Sequence, residues 1–201
     1  MEAHAATVEH AHGPPEANQS SRIDRQTLGI LLFIVSEVML FGAFFASYFF
    51  LRVVANVGPW PPEGFDLPKA IAGVNTAILI SSSFTIHFAQ ESIKKNNRLG
   101  LQLGMVTTFL LGLTFLFIQI NEYVHIGFSP QDSAQGSIFY GLTGLHGAHV
   151  TIGLMLLTFI TIRAFRGHYS ADAYRGMEVP GIYWHFVDVM WIVVYFTVYI
   201  I

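Results

Sequence analysis

The sequence contains no cysteine in its 201 residues. Disulfides, thiolate metal sites and cysteine nucleophiles are excluded together. Charge is scarce as well: Asp, Glu, Lys and Arg make up 11% of the chain, against roughly 25% in soluble domains. The net charge of −3 offers no basic surface for nucleic acid. Residues 1–21 lack the basic start and apolar core of a secretory signal. No internal repeat and no extramembrane domain are visible.

Apolar residues fill the space that charge leaves. They account for 53% of the chain, Phe alone for 18 positions, and the mean hydropathy is +0.51. Five long apolar segments run from about Thr27 to Val54, Ala70 to Ile93, Leu99 to Ile126, Ser137 to Phe165 and Val179 to Ile201. Each reaches the roughly 20 residues that span hydrocarbon, and the longer ones imply tilt. Short connections make sequence neighbours antiparallel. The predicted fold is an all-α integral membrane bundle of five transmembrane helices over residues 25–201. Residues 1–24, with His4, His10 and His12 among Ala, Glu and Pro, read as a disordered cytoplasmic tail. Asp24 is placed to cap a helix that starts near Arg25.

Lys and Arg set the expected orientation. With the N-terminus cytoplasmic, Arg22, Arg25, Lys94, Lys95, Arg98, Arg163, Arg166 and Arg175 lie inside, and only Arg52 and Lys69 outside. The positive-inside rule therefore predicts N-in and C-out. Trp60, in the rigid outer loop Gly58-Pro59-Trp60-Pro61-Pro62, is expected to anchor at the membrane interface.

Within this apolar frame the polar residues stand out. The last segment holds Tyr183-Trp184-His185-Phe186-Val187-Asp188, which puts an imidazole and a carboxylate on one helix face. A charge-capable group at that depth costs roughly 2.5–3.5 kcal/mol on insertion scales, so it should face protein. Glu37 in the first segment and His146 and His149 in the fourth reach the same mid-membrane layer at about 1.5 Å per residue. Glu37, one of the two histidines and the His185/Asp188 pair are expected to share one network, either as a structural interhelical clamp or as a proton-handling site. Gly144, Gly147 and Ala148 favour close helix packing around the histidines. Gln119, Glu122 and Tyr123 read as outer-rim polar residues. Tyr183, Trp184 and Trp191 are assigned, with Trp60, to lipid or interfacial contacts. A metal site from Glu37, His146, His149 and His185 is conceivable by ligand type, but the paired Glu-x-x-His motifs of di-iron bundles are absent, and no metal is assigned.

The ordered motifs resemble subunit III of the haem-copper oxidases, of the cytochrome c oxidase type. The matching stretches are Ser36-Glu37-Val38 with Phe41-Gly42-Ala43-Phe44-Phe45, then Asn75-Thr76, then Gln119 with Glu122-Tyr123, then Gln135-Gly136-Ser137-Ile138-Phe139. Thr143-Gly144-Leu145-His146-Gly147-Ala148-His149-Val150-Thr151-Ile152-Gly153 and Tyr183-Trp184-His185-Phe186-Val187-Asp188-Val189-Met190-Trp191 complete the set. The resemblance implies a short five-helix bacterial form, without the two N-terminal helices of longer members. It also implies a chain with no catalytic centre of its own, packed beside subunit I in the cytoplasmic membrane. Haem and copper would belong to subunits I and II, with a fourth subunit or a respiratory supercomplex as further partners. Bound phospholipid, support of oxygen access and support of proton uptake are implied too, and Glu37 matches the family's carbodiimide-reactive glutamate. The equivalent subunit of a quinol oxidase or of a nitric oxide reductase system is the alternative. A stand-alone proton-coupled carrier is disfavoured, because broken helices and inverted repeats are missing.

Overall fold

The computed structural model describes residues 25–61, 66–171 and 174–201, with the backbone alone for Arg25 and Arg175. The tail histidines His4, His10 and His12, together with Arg22 and Asp24, lie outside the described residues. Among those described there is no strand. Helix α1 covers Arg25–Phe49 and continues through a π-helical turn, Phe50–Val54. Helices α2 (Lys69–Lys94), α3 (Arg98–His125) and α4 (Ala134–Phe165) follow. Helix α5, Glu178–Tyr195, ends in a second π-helical turn, Phe196–Ile200. The five spans begin and end within three residues of the apolar segments read from the sequence.

Local chemistry fixes the ends. The Asn97 side chain accepts from the Gly100 amide at 3.0 Å and Ser133 Oγ accepts from the Gly136 amide at 2.9 Å, so α3 and α4 each start on a polar cap. Behind α4, Gly167 adopts φ +74°, a conformation that glycine tolerates and that turns the chain away from the helix.

The bundle is asymmetric. Helices α2 and α3 form the most extensive pair, α3 and α4 the next, and α5 packs against α1, α2 and α4 at once. Close approach depends on small residues, as expected where lipid removes the hydrophobic drive between helices. A Cβ on Gly104 would lie 2.7 Å from that of Ala89, which holds α3 against α2. Gly112 and Gly153 make a slot for the Trp184 indole, and a Cβ on them would meet that ring at 2.6 and 2.8 Å. Helix α1 lies outside, leaning on α4 and α5, with Leu32, Val35 and Met39 exposed on its far face.

Candidate functional site

The polar residues inside the bundle form separate clusters. In the first, Nε2 of His149 lies 2.9 Å from Oε2 of Glu37. Nδ1 of His149 lies 2.8 Å from the Leu145 carbonyl, which can only accept, so Nδ1 carries a hydrogen. Nε2 and the Glu37 carboxylate therefore share one proton, as carboxylic acid with imidazole or as carboxylate with imidazolium. Phe41 covers the imidazole at 5.1 Å between centroids, and the Tyr183 hydroxyl donates to the His149 carbonyl at 3.1 Å. Helices α1, α4 and α5 are tied at this one point.

The second cluster joins α5 to α2. Ser83 Oγ donates to Oδ2 of Asp188 and lies 3.0 Å from Nδ1 of His185. The single hydroxyl hydrogen is committed to Asp188, so Ser83 accepts from the Nδ1–H of His185. Oδ1 of Asp188 is buried without a partner. Two indoles reinforce the same seam: Trp184 Nε1 donates to Ser82 Oγ and Trp191 Nε1 to Thr76 Oγ1, both at 2.9 Å.

Among the described residues no hydrogen bond connects the Glu37 cluster to His185 and Asp188. The single network expected from depth alone is thus two, because His149 and Ser83 reach α1 and α5 from different neighbouring helices. His146 joins neither. Its two ring nitrogens are buried without hydrogen-bond partners, and the ring packs against Phe115 and Trp191, with centroids at 5.6 and 4.7 Å. Among the described residues no three His, Asp or Glu side chains converge as a metal-ligand set.

Two further expectations are corrected. Gln119 and Glu122 are buried rather than at a rim. Tyr199 donates to Glu122 Oε1 at 2.6 Å, and Tyr123 donates to Thr143 Oγ1 at 2.8 Å, so the half of the bundle where α3 and α5 end has its own polar cluster. Trp184, Trp191 and Tyr183 are likewise buried, since they lie on the face of α5 turned into the bundle, while Val189, Ile192 and Val193 take its exposed face. Trp60 is half-buried against Tyr48 and Phe139, and its Nε1 donates to the Val198 carbonyl at 2.8 Å; it anchors a loop to the end of α5. Ser82, Ser83 and Tyr199 carry no sequence expectation. The run Ser81-Ser82-Ser83 inside an apolar span was the signal available for two of them.

Five helices long and apolar enough to cross a membrane, with polar side chains hydrogen-bonded between them, define an all-helical, multi-pass membrane protein. The family model for cytochrome c oxidase subunit III matches residues 17–201. A cytochrome c oxidase subunit 3 from Thermostichus vulcanus is 39% identical over 198 residues, covering 98% of this chain and 94% of the relative. The Synechocystis protein of that name is 42% identical over 180 residues, covering 89% and 76%, and the one from Homo sapiens is 37% identical over 176 residues, covering 85% and 67%. The chain belongs to the cytochrome c oxidase subunit III family.

Proposed function

We propose that the chain is a non-redox core subunit of a proton-pumping aerobic terminal oxidase in the bacterial cytoplasmic membrane. Its N-terminus faces the cytoplasm and its C-terminus the outside, a reading that the bias of Lys and Arg toward one side supports. It packs beside the catalytic subunit I, in a complex with subunit II and in some assemblies a fourth subunit. It stabilises subunit I during turnover, binds phospholipid, and supports oxygen access and proton uptake. The carrying observation is that the potential ligands are held apart: among the described residues no three of them converge. Glu37 and His149 bind each other, His185 and Asp188 bind Ser83, and His146 is enclosed by aromatic rings.

A groove of about 540 Å³ supports the phospholipid reading. It opens between the start of α1 (Ile30, Phe33), α4 (Leu156, Phe159) and the start of α5 (Val179), an apolar trough suited to an acyl chain. The test is native purification followed by subunit identification and a visible spectrum. Co-purification with haem- and copper-bearing subunits, and no haem in the separated chain, is the expected result. Haem bound to the isolated chain would overturn the assignment.

A further inference from the structure

The Ser83, His185 and Asp188 cluster reaches the edge of the bundle. His185 also lines a cavity of about 250 Å³ where α1 and α5 begin and α2 ends. Thr27, Gln90, Lys94, Tyr174 and Glu178 share its walls. A cavity accommodates a water once it offers about 15 Å³ to the probe and some polar partners, so this one is wide and polar enough for several. Nδ1 of His185 is engaged by Ser83, which leaves Nε2 as the ring nitrogen available to the cavity. On the far side of Ser83 sits Asp188, which is 4% exposed and has one oxygen unpartnered.

We propose that His185 and Ser83 form a proton relay that exchanges protons between water in this cavity and the buried carboxyl of Asp188. A proton from cavity water binds Nε2 of His185. The ring releases its Nδ1 proton to Ser83 Oγ, and Ser83 passes its own hydroxyl proton to Oδ2 of Asp188. Nothing is oxidised or reduced: one proton leaves the water, one arrives on Asp188, and the imidazole ends as the other neutral tautomer. The reverse sequence resets it. The two transfers within the chain follow hydrogen bonds already in place, and imidazole is the side chain suited to accept at one nitrogen and donate from the other.

The groups around the relay and its cavity come from α2, from the loop before α5 and from the start of α5. His87 of α2 acts on His185, Lys94 of α2 is paired with Glu91 at 2.7 Å, Tyr174 comes from the preceding loop and Glu178 from the start of α5. Helix α1 adds Thr27 to the wall, while its own carboxylate, Glu37, is turned to His149. The relay uses only this chain's residues and is read in the resting complex, so it stands or falls separately from the turnover role proposed above.

Infrared difference spectroscopy on the assembled complex in membranes tests it. A carboxyl C=O band that appears as pH is lowered, shifts in D₂O and is lost in Asp188→Asn identifies the group. His185→Phe is expected to slow the exchange of that band at least tenfold. Ser83→Ala should do the same, and Ser83→Thr, which keeps the hydroxyl, should restore it. Unchanged exchange in both His185→Phe and Ser83→Ala would overturn the relay, as would the absence of any Asp188-dependent carboxyl band between pH 5 and 9. If His185→Phe does not assemble, the contrast between Ser83→Ala and Ser83→Thr decides alone.

Discussion

Helices α1 and α5 each carry a carboxylate near the middle of a membrane span, and they support it in opposite ways. Of the most apolar stretch of α1, 6% is buried inside the protein, against 61% for α5. Helix α5 sends a polar side chain to a partner at nearly every turn: Tyr183 to His149, Trp184 to Ser82, Asp188 to Ser83, Trp191 to Thr76 and Tyr199 to Glu122. In its membrane interior α1 makes one such contact to another helix, Glu37 to His149, and is otherwise held by rings such as Phe41, 6.5 Å from Phe186. The cost of inserting a carboxylate is similar in both helices. What differs is how much of the bundle depends on its being satisfied.

The sharpest way to break this contrast is to remove the α5 carboxylate. Asp188→Leu removes the carboxylate that accepts from the half-buried Ser83 hydroxyl, and a group deprived of its hydrogen-bond partner inside the protein costs about 1–3 kcal/mol. Since 1–2 kcal/mol is a factor of about 5–30 in a folded population, the yield of assembled complex should fall at least fivefold. Asp188→Asn keeps an acceptor and should assemble nearly normally. Equal yields of the leucine and asparagine variants would show that the seam between α2 and α5 rests on packing alone.

A second comparison sets glycines against each other. Gly153→Val pushes a side chain into the Trp184 ring, where a Cβ already lies at 2.8 Å, and overpacking of this kind costs about 1–3 kcal/mol. Gly42→Val on α1 meets nothing within 4 Å. Thermal inactivation of the complex should shift markedly for the first and hardly for the second. If Gly42→Val is as damaging, another subunit covers that face of α1 in the assembled oxidase.

The sequence makes the number, length and type of elements legible, because a membrane leaves one solution for 20-residue apolar runs. It also makes the depth of Glu37, His149, His185 and Asp188 legible, since depth follows from counting residues along a helix. It does not make legible which helix faces which. Rotation about each axis decides whether His146 or His149 meets Glu37, and that rotation follows from tertiary packing, such as the close fit of Trp184 against Gly112 and Gly153, which no local motif announces. Assigning the tryptophans to lipid failed for the same reason. A Trp in a span is amphipathic, and only its neighbours tell whether the N–H finds a headgroup or, as here, Ser82 and Thr76.

On α1 the expected effects are milder. Glu37→Gln preserves a hydrogen-bonding group opposite Nε2 of His149 but removes the shared proton. Initial oxygen consumption should stay within about twofold of normal, equivalent to about 0.4 kcal/mol on the barrier, while activity decays sooner during sustained turnover. An oxygen electrode trace taken to inactivation reads both. Immediate loss of most activity would place Glu37 on the path of the reaction and give α1 the larger share.

The smallest effect concerns the point where the two regions are tied together from outside. Trp60 packs on Tyr48 from α1 and on Phe139 from α4, and donates to Val198 at the end of α5, so one side chain touches three helices. Trp60→Phe retains a ring for the two aromatic contacts and removes only the N–H. The loss should be about 1 kcal/mol, the net worth of one hydrogen bond. Thermal inactivation midpoints should fall by no more than a few degrees, with oxygen consumption unchanged. Trp60→Ala, which also removes the packing, should cost several times as much. If the two variants behave alike, the hydrogen bond rather than the ring holds the loop against the end of α5, beside the second polar tie at that end, from Arg52 to the Ile201 carbonyl.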